Sequence, residues 1–299
     1  MKPRILIAGV ALLAILIAGV THLNSKSEKQ EAPSKTAGTK PEQFIVLLDL
    51  SDRIIQPGQI DADKQIIEKV FEEFEKKAKS HLIMNSKDRF QICIAPQRGL
   101  KFDRDMESEN LTFDFSKIKI AERVKKLDEF KDSLRSKLDA LYTKANMGNE
   151  SKKYQGSNIW QFFNEHLPAM TSEKSITRLI VITDGYFDFE EGNAKLVHGN
   201  KSTTTNFISQ IRNNDNWKEK IEKEDLGILP ISGQLSNVSV CVAGIRSKNP
   251  NNLNEVEMLS FIWAKWLSSI GFSKEDFKTI QYNSISIIHN QIVEFLSRA

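Results

Sequence analysis

Asp49, Ser51, Asp52 and Arg53 follow one another at the end of an apolar run, in FIVLLDLSDRIIQPGQ (44–59). A run of that kind is buried as a strand, so two carboxylates, a hydroxyl and a guanidinium are delivered to one strand tip. Three chemistries are open to such a group: a cation site, a catalytic site, or a polar turn. Asp184 repeats the placement at the end of LIVITD (179–184), within TDGYFDFEEGN. A third segment, YQGSNIWQFF (154–163), sets Gly156 and Ser157 at the start of a helical pattern, where Ser157 would also serve as the helix amino cap. Magnesium takes octahedral oxygen coordination, keeps several waters and accepts few protein carboxylates.

The elements that must position these residues are legible as alternating patterns. Apolar runs at 44–50, 90–96, 111–115, 179–184 and 238–245 read as strands, with FKTIQY (277–282) as a sixth. Three of them are nearly continuous, which marks a sheet covered on both faces. Helical spacing joins Ile66, Ile67, Val70, Phe71, Phe74 and Ala78, and likewise Ile120, Val124, Leu127, Leu134, Leu138 and Leu141. Shorter helices are expected around Ile159–Leu167 and Met258–Leu267, and ISIIHNQIVEFLSRA closes the chain as a helix. Strands alternating with helices predict an α/β fold with a mostly parallel sheet and helices on both faces. The third strand follows the second with no helical pattern between them, so that pair is expected to be an antiparallel edge hairpin. In such sheets ligands bind beyond the carboxyl ends of strands where the strand order reverses. That rule selects the segments around Asp49 and Asp184.

On DLS at 49–51, GSNI at 156–159 and VITDG at 181–185, the chain from 42 to 299 resembles a von Willebrand factor A domain. The resemblance implies a Rossmann-like sheet of strand order 3-2-1-4-5-6 and a metal-ion-dependent adhesion site. In that family an Asp-x-Ser-x-Ser loop, a later Thr and an Asp after the fourth strand hold a divalent cation. Carried over, the metal ligands are Asp49, Ser51, Ser157 and Asp184, the ion is Mg2+ or another divalent cation, and a carboxylate of a protein partner completes its coordination. Arg53 stands where the family has its third loop ligand, and a guanidinium stays protonated. Either its head turns away and leaves a site of four oxygen ligands, or it pairs with Asp49 or Asp184 and takes the cation's place. The same strand order sets Cys93 and Cys241 three strand spacings apart, roughly 14 Å, too far for a disulfide. They are expected to be inert core thiols.

The amino end, MKPRILIAGVALLAILIAGVTHL, is a membrane anchor or signal peptide by its charged start and apolar run, and it lacks a good small-x-small cleavage pattern. An uncleaved anchor (1–23) places the body outside the cytoplasm, in the periplasm or extracellular space; a cleaved one makes it secreted. Residues 24–41 have almost nothing apolar and form a flexible linker. The formal charge of +3 is concentrated there: residues 1–41 carry an excess of +4, which leaves the body near −1. A nearly neutral body without a basic face argues against nucleic acid.

Asp52 and Asp188 are outer-shell candidates or solvated loop carboxylates, and the acidic DFEEGN stretch is an exposed loop. The five histidines (22, 81, 166, 198, 289) show no metal-ligand spacing. Trp263 and Trp266 are expected to pack in the core. Residues 193–236 look like a polar insertion on the site-bearing side. No phosphate-binding Gly-Lys-Ser/Thr loop, Gly-x-Ser-x-Gly elbow or His-Glu-x-x-His occurs. The expected function is thus a membrane-tethered, non-enzymatic protein-interaction module. The rivals are a phosphoesterase-type hydrolase with Asp49 as nucleophile and a metal-free structural subunit of a cell-envelope assembly.

Overall fold

From Phe44 onward β1 (Glu42–Leu48) is continuously apolar because it has no solvent face: Phe44, Val46 and Leu48 pack into one core, Ile45 and Leu47 into the other. The computed structural model describes residues 40–298 apart from 81, 190–194, 250, 251 and 253. β4 (Ile176–Ile182) and β8 (Val238–Ile245) divide their side chains between the same two cores, with Ile180, Ile182, Cys241 and Ala243 on one side and Leu179, Val181, Val240 and Val242 on the other.

β2 (Arg89–Ile94), β3 (Thr112–Asp114) and β9 (Phe277–Gln281) complete a six-stranded sheet of order β3-β2-β1-β4-β8-β9, parallel except for β3. The remaining strands, β5 (Val197–His198), β6 (Lys201–Ser202) and β7 (Gly227–Ile228), form a small separate ribbon. The fold is therefore α/β with a mostly parallel six-stranded sheet and one antiparallel edge strand. One face is covered by α1 (Gln59–Ser80), α3 (Arg123–Ala145) and α8 (Ile285–Leu296). The other is covered by α4 (159–170), by α7 (Glu255–Ser269) and by the 197–228 segment with its short helices α5 (Ile208–Ile211) and α6 (Trp217–Lys223).

Three expectations are corrected. A helix, α2 (Arg104–Asn110), stands between β2 and β3, so the edge pair is antiparallel without being a hairpin. It has no apolar stripe to betray it and is held instead by its cap, where Asp103 accepts from the amides of Asp105 and Met106. Ile120 and Val124 are exposed, because the long helix begins only at Arg123 and turns its apolar face from Leu127 onward. The polar-looking insertion buries Phe207, Ile208, Ile211, Trp217, Ile221 and Ile228, and so forms part of the second core.

Trp263 and Trp266 pack as expected, and Cys93 and Cys241 are free buried thiols, each pushed up to about 12 by burial. Among the described residues no helix is long and apolar enough to cross a membrane. The anchor or signal segment read at 1–23 and nearly all of the linker lie outside them, as do His22 and His81 and most of the DFEEGN stretch.

Candidate metal centre

β1 and β4 are neighbours in parallel register, with Leu48 opposite Ile182, so both strands end at the same level and deliver Asp49 and Asp184 to adjoining tips. The two tips are tied directly. Asp49 N donates to the Ile182 carbonyl at 3.1 Å, and the Thr183 hydroxyl donates to Asp49 Oδ2 at 2.7 Å. Asp49 Oδ1 accepts from the amide of Ser51 at 3.0 Å, which closes the DLS turn and holds Ser51 beside it. Asp184 accepts from the Tyr186 amide, while Trp263 Nε1 donates to the Gly185 carbonyl at 2.9 Å and fixes that loop from below. Gly185 has φ +97, a conformation that L side chains rarely adopt, so the tight turn after Asp184 requires glycine.

Ser157 reaches the same crown by two ties. Gln97, just beyond β2, donates from Nε2 to the carbonyls of both Leu50 and Gln155 and pairs as a bridge with Ser157. On the other side, a Cβ on Gly156 would lie 1.8 Å from the Asp188 carbonyl oxygen; only glycine lets these two loops touch. The helix cap is Asn158, whose side chain accepts from the Gln161 amide at 2.9 Å. Ser157 is thereby relieved of the capping role expected for it. Its Oγ is buried and has no hydrogen-bond partner.

Arg53 turns away from the crown carboxylates. Its guanidinium makes two parallel bonds to Asp63 on α1, at 2.8 and 2.7 Å, and a third to the main-chain carbonyl of Asp49 at 3.0 Å. Gln59 and Tyr142 each donate a further bond of 2.8 Å to Asp63. The buried pair is thus fully hydrogen-bonded on its carboxylate side, and Asp63 and Asp49 hold the Arg53 guanidinium protonated against its burial. Of the two arrangements open in the sequence, the geometry is that of a head turned away, with an ion partner that the loop pattern does not reveal.

A different cation faces the crown. Lys248 Nζ, three residues beyond β8, lies 3.1 Å from Asp52, 3.4 Å from Asp188 and 4.0 Å from Asp184 Oδ2, and stands over the Tyr186 ring. Asp52 and Asp188 are therefore drawn to the site, each with a second tie: Asp52 accepts from Ser151 and Asp188 from Thr205 of the insertion. Three carboxylates, Asp52, Asp184 and Asp188, share the one Lys248 ammonium. Burial pushes the Asp184 carboxyl up to about 7, against the pull of Lys248 and with help from nearby Asp49. Buried carboxyls raised in this way are enriched at functional sites.

The donor set fits a hard divalent cation: two buried carboxylates, the orphaned Ser157 hydroxyl and the Ser51 hydroxyl. Among the described residues no group of three or more His, Cys, Asp or Glu side chains is arranged to hold a metal, so any cation here depends on the serines. Beside the crown an open groove of about 650 Å3 is bordered by Asp52, Asp188, Lys248, Arg98, Lys152 and Asn206. Lys248, Thr183 and Gln97 were not singled out in the sequence. Lys248 carried a usable signal, since it follows the carboxyl end of a strand, as do Asp49 and Asp184.

Neither a protein-family model nor a curated protein matches the chain. Among solved structures it is similar to proximal thread matrix protein 1 from the mussel byssus, at 10% identity and a TM-score of 0.34, over 86% of this chain and 47% of that protein. The chain thus spans about half the length of that protein, and at this score the likeness carries no argument.

Proposed function

We propose that the chain is a von Willebrand factor A-like, non-enzymatic docking module whose crown takes a divalent cation, Mg2+ by the nature of its donors, through Asp49, Ser51, Ser157 and Asp184. The observation that carries this reading is Ser157. Its hydroxyl is buried without a partner, in a loop pinned by Gln97 and Gly156 against the loops that bear both Asp residues. An unsatisfied buried polar group costs about 1–3 kcal/mol. A cation beside two buried carboxylates removes that cost and the excess negative charge together.

When bound, a dication supplies an open coordination position for a carboxylate of a protein partner. The chain's own residues bind and orient it. Thr183 and the Ser51 amide fix the Asp49 carboxylate, Trp263 fixes the Asp184 loop, and Asp52 and Asp188 hold Lys248 at the rim. The order of strands and loops supports the family assignment within this proposal. The apolar segment 1–23 would tether the module to a membrane with its body outside the cytoplasm, and 24–41 would lift it off that surface.

Lys248 favours a second reading, in which docking is metal-free and its ammonium presents the positive charge to an acidic partner. A hydrolase with Asp49 as nucleophile rests on the strand-tip position of that carboxylate alone. Calorimetric titration of Mg2+ into the full chain separates these readings. The metal reading expects micromolar binding that Asp49→Ala abolishes. No binding by the wild type selects the metal-free module, and turnover of generic phosphate esters that Asp49→Ala abolishes selects the enzyme.

A further inference from the structure

A second cavity lies on the outward face of the β2–β3 edge. Its volume is about 240 Å3, its floor is formed by Arg89, Gln91 and Cys93 of β2, and its walls include Arg104 and Asp105 of α2, His166 of α4 and Lys117 just beyond β3. The alternation of β2 explains the composition. Phe90, Ile92 and Ile94 point into the first core, so Arg89, Gln91 and Cys93 must share the opposite face, which α4 only partly covers.

Two buried polar atoms at this floor have no partner: Arg89 Nε, a donor, and Gln91 Oε1, an acceptor. Among the described residues Arg89 makes no ion pair. Asp114, directly opposite it in the ladder, instead accepts from the amide and hydroxyl of Ser116. Arg104 has only a 3.3 Å contact with the exposed carboxylate of Asp105. Both guanidinium groups act on the Cys93 thiol and Arg104 acts on His166, each against the opposing pull of Asp105, and Arg89, Arg104 and Lys117 outnumber the acids Asp105 and Glu109 in the lining.

We propose that this cavity is a binding site for a small oxyanion, a phosphate or a carboxylate, held by Arg89 and Arg104 with Gln91 accepting from a hydroxyl or amide of the same ligand. Guanidinium groups pair with such anions through planar, charge-assisted bonds, and a half-buried one without a carboxylate is a vacant partner for them. The volume admits a phosphate monoester or a short dicarboxylate. His166, held below its ordinary range by burial and by Arg104 against the pull of Glu165 and Asp105, would gain a further negative neighbour.

The test uses the full-length chain with inorganic phosphate, malonate and, as a control for screening, chloride at matched ionic strength. Calorimetry is expected to give saturable binding of phosphate or malonate, which distinguishes the two sources, and a dissociation constant at least about tenfold weaker in Arg89→Met. The His166 ring resonance in the wild type is expected to shift with the same saturation curve and its pKa to rise. Responses to phosphate and malonate no greater than to chloride, or a saturable response that leaves His166 unmoved, would mean that water alone fills the cavity, and would overturn the proposal. Equal affinity in wild type and Arg89→Met would overturn it as well.

Discussion

Arg53 donates to both carboxylate oxygens of Asp63, at 2.8 and 2.7 Å, ten residues along the chain and on the first helix rather than in the crown. The pair anchors the DLSDR turn to α1, and Tyr142 of α3 joins it by its hydroxyl, so the loop that carries Asp49 and Ser51 is braced by two helices. Breaking a buried pair from one side leaves an uncompensated charge. Arg53→Met and Asp63→Asn are each expected to cost about 3–5 kcal/mol in urea unfolding, and the double variant Arg53→Met/Asp63→Met clearly less than their sum.

Asp184 gives the crown an unusual pH dependence. Its carboxyl is raised from 3.8 to about 7, so the native chain holds this proton more tightly than the unfolded chain does. Stability contributed by this group therefore falls as pH rises from about 4 to about 7, the reverse of a salt-bridged Asp. In EDTA at pH 8, Asp184→Asn is expected to be more stable than wild type by about 1–3 kcal/mol, and the gain should shrink toward zero at pH 4. Denaturation curves at the two pH values check it.

Proton and metal compete for the same carboxylate. Apparent Mg2+ affinity is expected to drop by about tenfold per pH unit below about 7, in step with uptake of one proton by Asp184. Titrations at pH 5.5, 6.5 and 7.5 in non-chelating buffers measure it, and a flat profile would remove Asp184 from the ligand set.

Lys248 stands 4.0 Å from Asp184 Oδ2 and is a built-in rival for the cation. Its side chain is 38% exposed, so solvent screens part of its effect. Lys248→Met is expected to tighten Mg2+ binding by about tenfold, or ~1.4 kcal/mol. If the ammonium is instead the charge that a partner recognises, the same variant loses partner capture without gaining metal.

Gly156 sets how near Ser157 comes to the Asp188 loop. A methyl group there would meet a main-chain oxygen at 1.8 Å, and backbone must move to admit it. Gly156→Ala is expected to destabilise by about 1–3 kcal/mol and to weaken cation binding, whereas Gly148→Ala, where the added methyl meets nothing within 4 Å, should lose stability only through its backbone conformation and leave binding intact.

Much of this architecture is legible in the sequence because sheet strands covered on both faces must be continuously apolar. The runs at 44–50, 179–184 and 238–245 admit no other placement, and the strand-tip rule then locates Asp49 and Asp184. What escapes is polar. α2 is a surface helix held by the Asp103 cap, with nothing but Ser108 buried, so hydrophobic periodicity has nothing to register. Asp63 does leave a trace: it precedes Ile66, Ile67 and Val70 at helical spacing, and an acid on the apolar face of a helix calls for a buried cation. Lys248 could be found only by applying the strand-tip rule to the end of β8, since no local pattern distinguishes it from a solvated lysine.

The central claim is that oxygen atoms of Asp49, Ser51, Ser157 and Asp184 surround one cation, and crystals grown with Mn2+ in place of Mg2+ test it most directly through the anomalous signal of manganese. The account predicts a single strong peak in the crown within coordination distance of Ser157 Oγ, absent in crystals of Ser157→Ala/Asp184→Ala. A crown without a peak, in which Lys248 Nζ alone faces the carboxylates at saturating Mn2+, would contradict it.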